Sequence, residues 1–298
     1  MLINHASLAS LFTGFKATFR NGERLATPAW KDMAMEIPST TARERYDWLG
    51  VAPGMRQWLG DRVIHSLGTH GFQLENLPWE QTIAVERERI EDDQYGIYSQ
   101  MSQRMGETTA LHPDQLLGEL INNGRDSGAN SYDGVSFFSG SHPRDGALAD
   151  QDNVDTGGGG PYWVLASLRG ALRPWVLQMR KRPEFVSQQS LTDDSVFYRK
   201  EFVFGVDARY NAGYGLWEQA YMSNQTLNAA NFWAAWQAMR GFTAANGLPL
   251  AIVPDSLIIP VSLEQEATEL LAPLLTANGG TNVLASKVKV IVSPFITA

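Results

Sequence analysis

The stretch from Phe72 to Asn123 constrains the fold more than any other part of the chain, because its hydrophobic period changes from two to about four within it. Phe72 and Leu74 alternate with polar neighbours, Leu77-Pro78-Trp79 interrupts, and Ile83 and Val85 alternate again. That is the pattern of a β-hairpin. Its second strand runs into Glu86-Arg87-Glu88-Arg89, which places charge on both faces. A strand with one face on a core keeps apolar residues on that face. The pattern therefore predicts a β-arm reaching out of the domain. Beyond it, Ile97, Met101 and Met105 recur every four residues, and Leu116, Leu117, Leu120 and Ile121 form a second stripe. These predict one helical rod over 95–123, with Pro113 at a kink or restart and Gly124 closing it.

The junction between arm and rod, Glu86 to Gly96, holds five carboxylates and two arginines in eleven residues. A calcium loop would alternate its acids around a glycine, and a two-metal site would gather acids from several strand ends. The consecutive acids Glu91, Asp92 and Asp93 do neither. Asp92 or Asp93 placed before a helix would cap it, and the cluster would complement the helix dipole. Capping is the preferred reading, and a carboxylate-dependent enzyme using Glu91, Asp92 and Asp93 stands as the alternative.

No other catalytic set emerges. The histidines are His5, His65, His70, His112 and His142, and none pair at the spacing that puts two imidazoles on one helical face. His112 and His142 precede prolines, where a hydrogen-bonded structural role is expected. There is no GxSxG, and the four glycines from Gly157 to Gly160 are followed by Pro161 rather than by a phosphate-loop lysine. Cysteine is absent, which removes disulfides and thiolate sites. No metal or cofactor is expected.

The remaining chain reads as a mixed α/β protein. At 298 residues it can bury a large core, and a net charge of −8 argues against a general nucleic-acid surface. No apolar run reaches bilayer length, and the first residues lack a signal-peptide pattern. The first forty residues show no long periodic element and read as an extended or partly helical arm. Thr41 and Glu44 fit a capping box with Tyr46 and Leu49 on the following helical face, and Met55, Leu59 and Val63 continue the helical spacing. After a Gly- and Asp-rich loop over 125–160, "PYWVLASL", "RPWVLQMR" and "SVFYRKEFVFGVDARY" read as strands. A helix follows Asn228, then two short strands in "LPLAIVPDSLIIPVS", a helix in "LEQEATELLAPLLTANG" and a strand in "SKVKVIVSPF".

Eight blocks, taken in order, resemble one known family. They are "YDWLGVAPGMRQWLGDR", "IEDDQYGIY", "MGETTALHPDQL", "YDGVSFFSGSHP", "RKRPEFV", "VFGVDARYNAGYGLW", "LIIPVSLEQEATELL" and "VIVSPF". The chain is similar from end to end to the major head subunits (T proteins) of Mu-like bacteriophages. The resemblance implies an α+β fold, the tailed-phage major capsid fold of the Hong Kong 97 type. Its expected parts are an N-terminal arm at 1–55, an E-loop hairpin at 56–93, a peripheral domain at 94–225 with a spine helix at 95–123, and an axial-domain core at 226–298. The mid-chain position of "FVFGVDARYNAGYG" implies that the strands closing the peripheral sheet come from 161–225, in permuted order.

The implied function is self-assembly into an icosahedral shell of hexamers and pentamers around packaged double-stranded DNA. Expected partners are other copies, the portal, scaffold and protease of the head, and the DNA without sequence preference, with no membrane. The implied location is the virion head, and the host cytoplasm during assembly. An accessory head protein is a further alternative, though scaffolds are usually charged and helical. Some relatives cross-link an E-loop lysine to an asparagine of a neighbour. The lysines here are Lys16, Lys31, Lys181, Lys200, Lys287 and Lys289, none of them in the expected E-loop, so a non-covalent shell is expected. Assembly contacts are expected from Glu86, Arg87, Glu88, Arg89, Glu91, Asp92 and Asp93, whose mixed charges set register, and from Trp79 as an anchor at the loop tip.

Overall fold

In the computed structural model the apolar runs predicted as strands collect into two larger sheets and a two-stranded pair, with two long helices beside them. The structure describes residues 5–46, 72–92, 96–144, 148–188, 190, 193–244, 247–272 and 282–297. In chain order the elements are α1 (His5–Leu25), α2 (Trp30–Met33), β1 (Ala34–Pro38), β2 (Arg43–Arg45), β3 (Gln73–Glu75), β4 (Leu77–Glu86), α3 (Arg87–Glu91) and α4 (Ile97–Asn123). They continue with β5 (Val154–Asp155), β6 (Trp163–Ala166), β7 (Trp175–Gln188), α5 (Asp194–Arg199), β8 (Glu201–Tyr214) and β9 (Ala220–Ser223). The last are α6 (Ala229–Arg240), β10 (Ser256–Pro260), α7 (Glu264–Leu271) and β11 (Lys289–Ser293).

The first sheet has the order β1-β7-β8-β4. β4 pairs antiparallel with β8 along its whole length, from Leu77 opposite Tyr210 to Glu86 opposite Glu201. The hairpin expected between 72–74 and 83–85 is therefore not formed. β3 pairs instead with β2, Arg43 opposite Glu75 and Arg45 opposite Gln73, and the chain between them falls mainly in 47–71, outside the described residues. β4 is an edge strand of the sheet rather than a free arm. The charges that looked two-faced are explained by a change of element, since Arg87 to Glu91 coil into the short helix α3. The sheet also contains β8, Glu201–Tyr214, between β7 and β4.

The second sheet, β11-β10-β6-β9-β5, mixes parallel and antiparallel pairs. β6 lies between β10 and β9, so the boundary expected at 225/226 runs through this sheet, and the segment after it supplies only β10 and β11. "LPLAIVPDSLIIPVS" holds one strand, not two. The buried Asp255 carboxylate accepts the backbone N–H of Leu168 (3.0 Å) and of Arg169 (3.0 Å), which ends the preceding loop and opens β10. "SVFYR" is the helix α5, not a strand.

The N-terminal segment is the largest departure from expectation. Residues 5–25 form a helix whose Leu8, Phe12, Phe15 and Phe19 are all buried. Burying each such side chain contributes roughly 1.5–3 kcal/mol, which outweighs the roughly 1 kcal/mol that Gly14 and Gly22 each cost a helix. These rings pack with Val85, Ile90, Met105, Phe185, Phe202 and Phe204 into a core separate from the main one. Ser102 of α4 donates to the Phe15 carbonyl at 2.8 Å.

Thr41 and Glu44 do not begin a helix. The Glu44 carboxylate accepts from Ser39 Oγ (2.8 Å) and from the N–H of Thr40 (2.9 Å) and Thr41 (3.1 Å). Those bonds, the Thr40 N–H first, hold its carboxyl down to about 2. The reach of Glu44 back to Thr41 is thus the one expected of a capping box, made across a turn that enters β2. The rod is observed as the 27-residue α4, which passes through Pro113 unbroken. Its buried Asp114 accepts the N–H of Ala29 (2.9 Å) and Trp30 (2.5 Å), capping α2 from another helix.

Candidate assembly surface

β4 and β8 run side by side to one end of the molecule, where α3 and α5 meet. The N–H of Arg87 donates to the carbonyl of Lys200 at 2.8 Å and locks the start of α3 to the turn between α5 and β8. Ile90 points inward and is buried, while Glu86, Glu88, Arg89 and Asp92 are exposed. Arg89 Nε lies 3.0 Å from Glu86 Oε2, and Lys200 Nζ 4.0 Å from Glu88 Oε1. Exposed pairs like these add little to stability, so the charges remain available to a neighbour. The structure thus brings Glu86, Arg87, Glu88, Arg89 and Asp92 together. The Glu91 side chain and Asp93 lie outside the described residues.

Two expectations change here. Asp92 does not cap α4; it ends α3, and the residue before α4 is Gly96 in a left-handed conformation (φ 65°) with no side-chain cap. Trp79 is not at a loop tip. It sits in β4 at the opposite end from α3, half-buried against His112, whose ring centroid is 4.5 Å away. Its Nε1 donates to the Tyr210 carbonyl at 2.9 Å, and Tyr210 Oη meets His112 Nδ1 at 2.8 Å. Burial holds the His112 imidazole below its usual range. This trio lines a 410 Å³ cavity between β4 and α4 and packs within the subunit.

The residues that sequence reasoning missed are Phe197 and Tyr198 on α5. They are 72% and 76% exposed, with ring centroids 5.0 Å apart, beside the charged α3. The run Val196-Phe197-Tyr198 made "SVFYR" look like a strand, which would have turned one ring inward. In a short helix their neighbour Val196 takes the buried position and both rings face solvent. Two adjacent exposed aromatics are the kind of patch that marks a protein contact.

His142 is structural, as its sequence context suggested. It is buried, stacked 3.7 Å from Trp217, with Nδ1 at 2.6 Å from Asp133 Oδ2 and Nε2 at 3.1 Å from Asn153 Oδ1. Beside it, buried Glu218 accepts from Tyr132 Oη and leaves Oε2 unpartnered among the described residues, and burial pushes its carboxyl up. No group of three or more metal-ligating side chains occurs among the described residues.

A family model described as "Mu-like prophage major head subunit gpT" matches residues 8–296. The chain belongs to the Mu-like major head subunit family. It is 33% identical to the major capsid protein of Escherichia phage Mu, over 99% of this chain and 100% of that one. It is 34% identical to the Mu-like prophage FluMu major head subunit of Haemophilus influenzae, over 92% and 91% of the two chains. Among solved structures it matches the procapsid subunit of bacteriophage JBD30 with a TM-score of 0.84 at 35% identity, over 98% of this chain and 100% of that one. The JBD30 capsid subunit matches at 0.78 and 28% identity, over the full length of both. The fold is accordingly the Hong Kong 97-type capsid fold. This head subunit is a structural protein of the virion capsid, self-assembles into the shell of the head, and is not an enzyme. The carboxylate alternative at Glu91–Asp93 falls away with that assignment.

Proposed function

We propose that the subunit forms hexamers and pentamers through the end of the molecule where α3 and α5 meet. The observation that carries this is the exposure of Phe197 and Tyr198, at 72% and 76%, beside the mixed charges of Glu86, Arg87, Glu88, Arg89 and Asp92. Aromatic anchors desolvated on contact supply affinity, and a charged rim supplies register. Glu91 and Asp93 are kept as contacts on the sequence alone, whereas Trp79 is assigned to packing within the subunit. On this reading the first sheet with α1 and α4 is the peripheral domain and the second sheet with α6 and α7 the axial domain. The part of the expected E-loop at 56–71 lies outside the described residues. Assembly takes place in the host cytoplasm with portal, scaffold and protease, and the finished shell contacts packaged DNA without sequence preference.

Replacing Phe197 and Tyr198 together by serine tests the contact. The expected result is an unchanged melting temperature, because both rings are already solvated, with few or no shells in electron micrographs of the overexpressed protein. Normal shells from this variant would place the contact elsewhere.

A further inference from the structure

The chain carries a net charge of −8, yet its first helix and the turn after it are basic. From His5 to Lys31 there are four cations, Lys16, Arg20, Arg24 and Lys31, against one acid, Glu23. Lys16, Arg20 and Arg24 follow at four-residue spacing, so they form a row on one flank of α1, about 6 Å per step and about 12 Å long. Leu8, Phe12, Phe15 and Phe19 commit the neighbouring face to the core, which leaves Lys16 half-buried at its edge and Arg20 and Arg24 facing out.

Beside that row the structure has an open groove of 670 Å³ between α1, the middle of α4 and β7. Arg20, Arg24, Lys31 and Arg182 surround it. Arg182 is held by Glu36, but Lys16, Arg20, Arg24 and Lys31 have no salt bridge among the described residues. Arg24 donates only to Asn21 Oδ1, at 3.3 Å, and Lys31 Nζ lies 5.7 Å from the Trp30 ring. Glu23 also lines the groove and draws on Arg20 electrostatically, so one acid stands against the four cations there.

A compact anion would not use a row that runs past the groove at Lys16. An acidic peptide would need sockets for its apolar side chains. The large apolar side chains beneath the groove, Trp30 and Met179, are themselves buried and offer little surface to such side chains. A rod-like polyanion uses what is there, the exposed Arg20, Arg24 and Lys31 with the half-buried Lys16 in line and no specific pocket. We propose that the α1 row, Lys16, Arg20 and Arg24 with Lys31, binds the phosphate backbone of double-stranded DNA without sequence preference. The inference rests on the shell reading only for the source of the DNA, the genome packed against the shell.

The test is a titration of the full chain with a short fluorescein-labelled duplex, read by anisotropy across a salt series. Four phosphate contacts predict a log–log salt slope of about −3.6, roughly a hundredfold loss of affinity between about 50 and about 200 mM salt. The double variant Arg20→Ala, Arg24→Ala should halve the slope to about −1.8, while Arg240→Ala, exposed on α6, should leave it unchanged. Both side chains are exposed, so melting should not move. The inference is overturned if the wild-type chain shows no salt-dependent binding. It is equally overturned if the double variant keeps the full slope, or if a glutamate-rich peptide displaces the duplex at equal charge. Electron microscopy of the same preparations separates the two readings. Shells without duplex binding sink this inference alone, and absent shells sink the shell contact while the titration still reports on the groove.

Discussion

Gly22 and Gly106 meet where α1 crosses α4, and there they set the distance between the helices. A Cβ on Gly106 would lie 2.1 Å from the Phe19 carbonyl oxygen, and one on Gly22 1.9 Å from that of Gln103. Gly106→Ala would gain about 1 kcal/mol of helix propensity, but the clash is with backbone, and overpacking of this kind costs about 1–3 kcal/mol or more. The clash wins, so the variant should melt several degrees lower. A raised melting temperature would show that the crossing yields. Glu218 makes the other residue-scale prediction. Its folded carboxyl is held above the ordinary value of 4.5 by burial, so the folded state binds the proton more tightly than the unfolded one. The stability this provides is complete below 4.5 and is lost as pH rises through the folded value. Glu218→Gln cannot ionise and offers Oε1 to Tyr132 and an N–H₂ where Oε2 is unpartnered. Its melting temperature relative to wild type should therefore rise with pH above 4.5. A constant offset across the series would contradict this.

Among the elements, α4 ties the two sheets together. Its Asn122 donates to the Phe295 carbonyl at 2.9 Å and accepts the Thr297 N–H at 3.0 Å, while Gly118 leaves room for Phe295. The segment after β11 is thereby strapped to the helix. Asn122→Ala should cost about 1–3 kcal/mol for two hydrogen bonds and speed amide exchange in 294–297 more than elsewhere, and uniform exchange would argue against a local strap. The element that pattern reading handled best is α4 itself, because its two stripes and Pro113 are all local signals. α1 was missed although Leu8, Phe12, Phe15 and Phe19 keep helical spacing. Only the crossing with α4 shows Gly22 as a close contact. The β2–β3 pair was missed because pairing joins residues some thirty positions apart, and alternation reveals a strand but not its partner.

At the scale of the whole molecule, charge is unevenly placed. The basic flank of α1 and the mixed charges of α3 belong to different parts of α1's surroundings, which suits a subunit that must meet both its neighbours and what the shell encloses. No lysine lies in β2, β3, β4 or α3, and the nearest to the α3 end is Lys200, 4.0 Å from Glu88. Mature particles should therefore run as monomer on denaturing gels, and a covalent ladder would refute a non-covalent shell.

The residues alone determined the α+β class, the long helix through Pro113, the absence of thiolate chemistry and, through eight ordered blocks, the family. These depend on local periodicity and on residue identity, which are present in the linear chain. Tertiary structure decided which strand β4 joins, that Trp79 packs on His112 and Tyr210, and that Phe197 and Tyr198 face out. Each of those depends on which distant segments share a hydrogen-bond ladder or a core. That choice is made by burial summed over the whole chain, and no local window contains it. The acids from Glu86 to Asp92 show both sides. Their density was plain in the sequence, but only the folding of Arg87–Glu91 into α3, pinned by the Lys200 carbonyl, turned Glu86, Glu88 and Asp92 into an exposed charged corner.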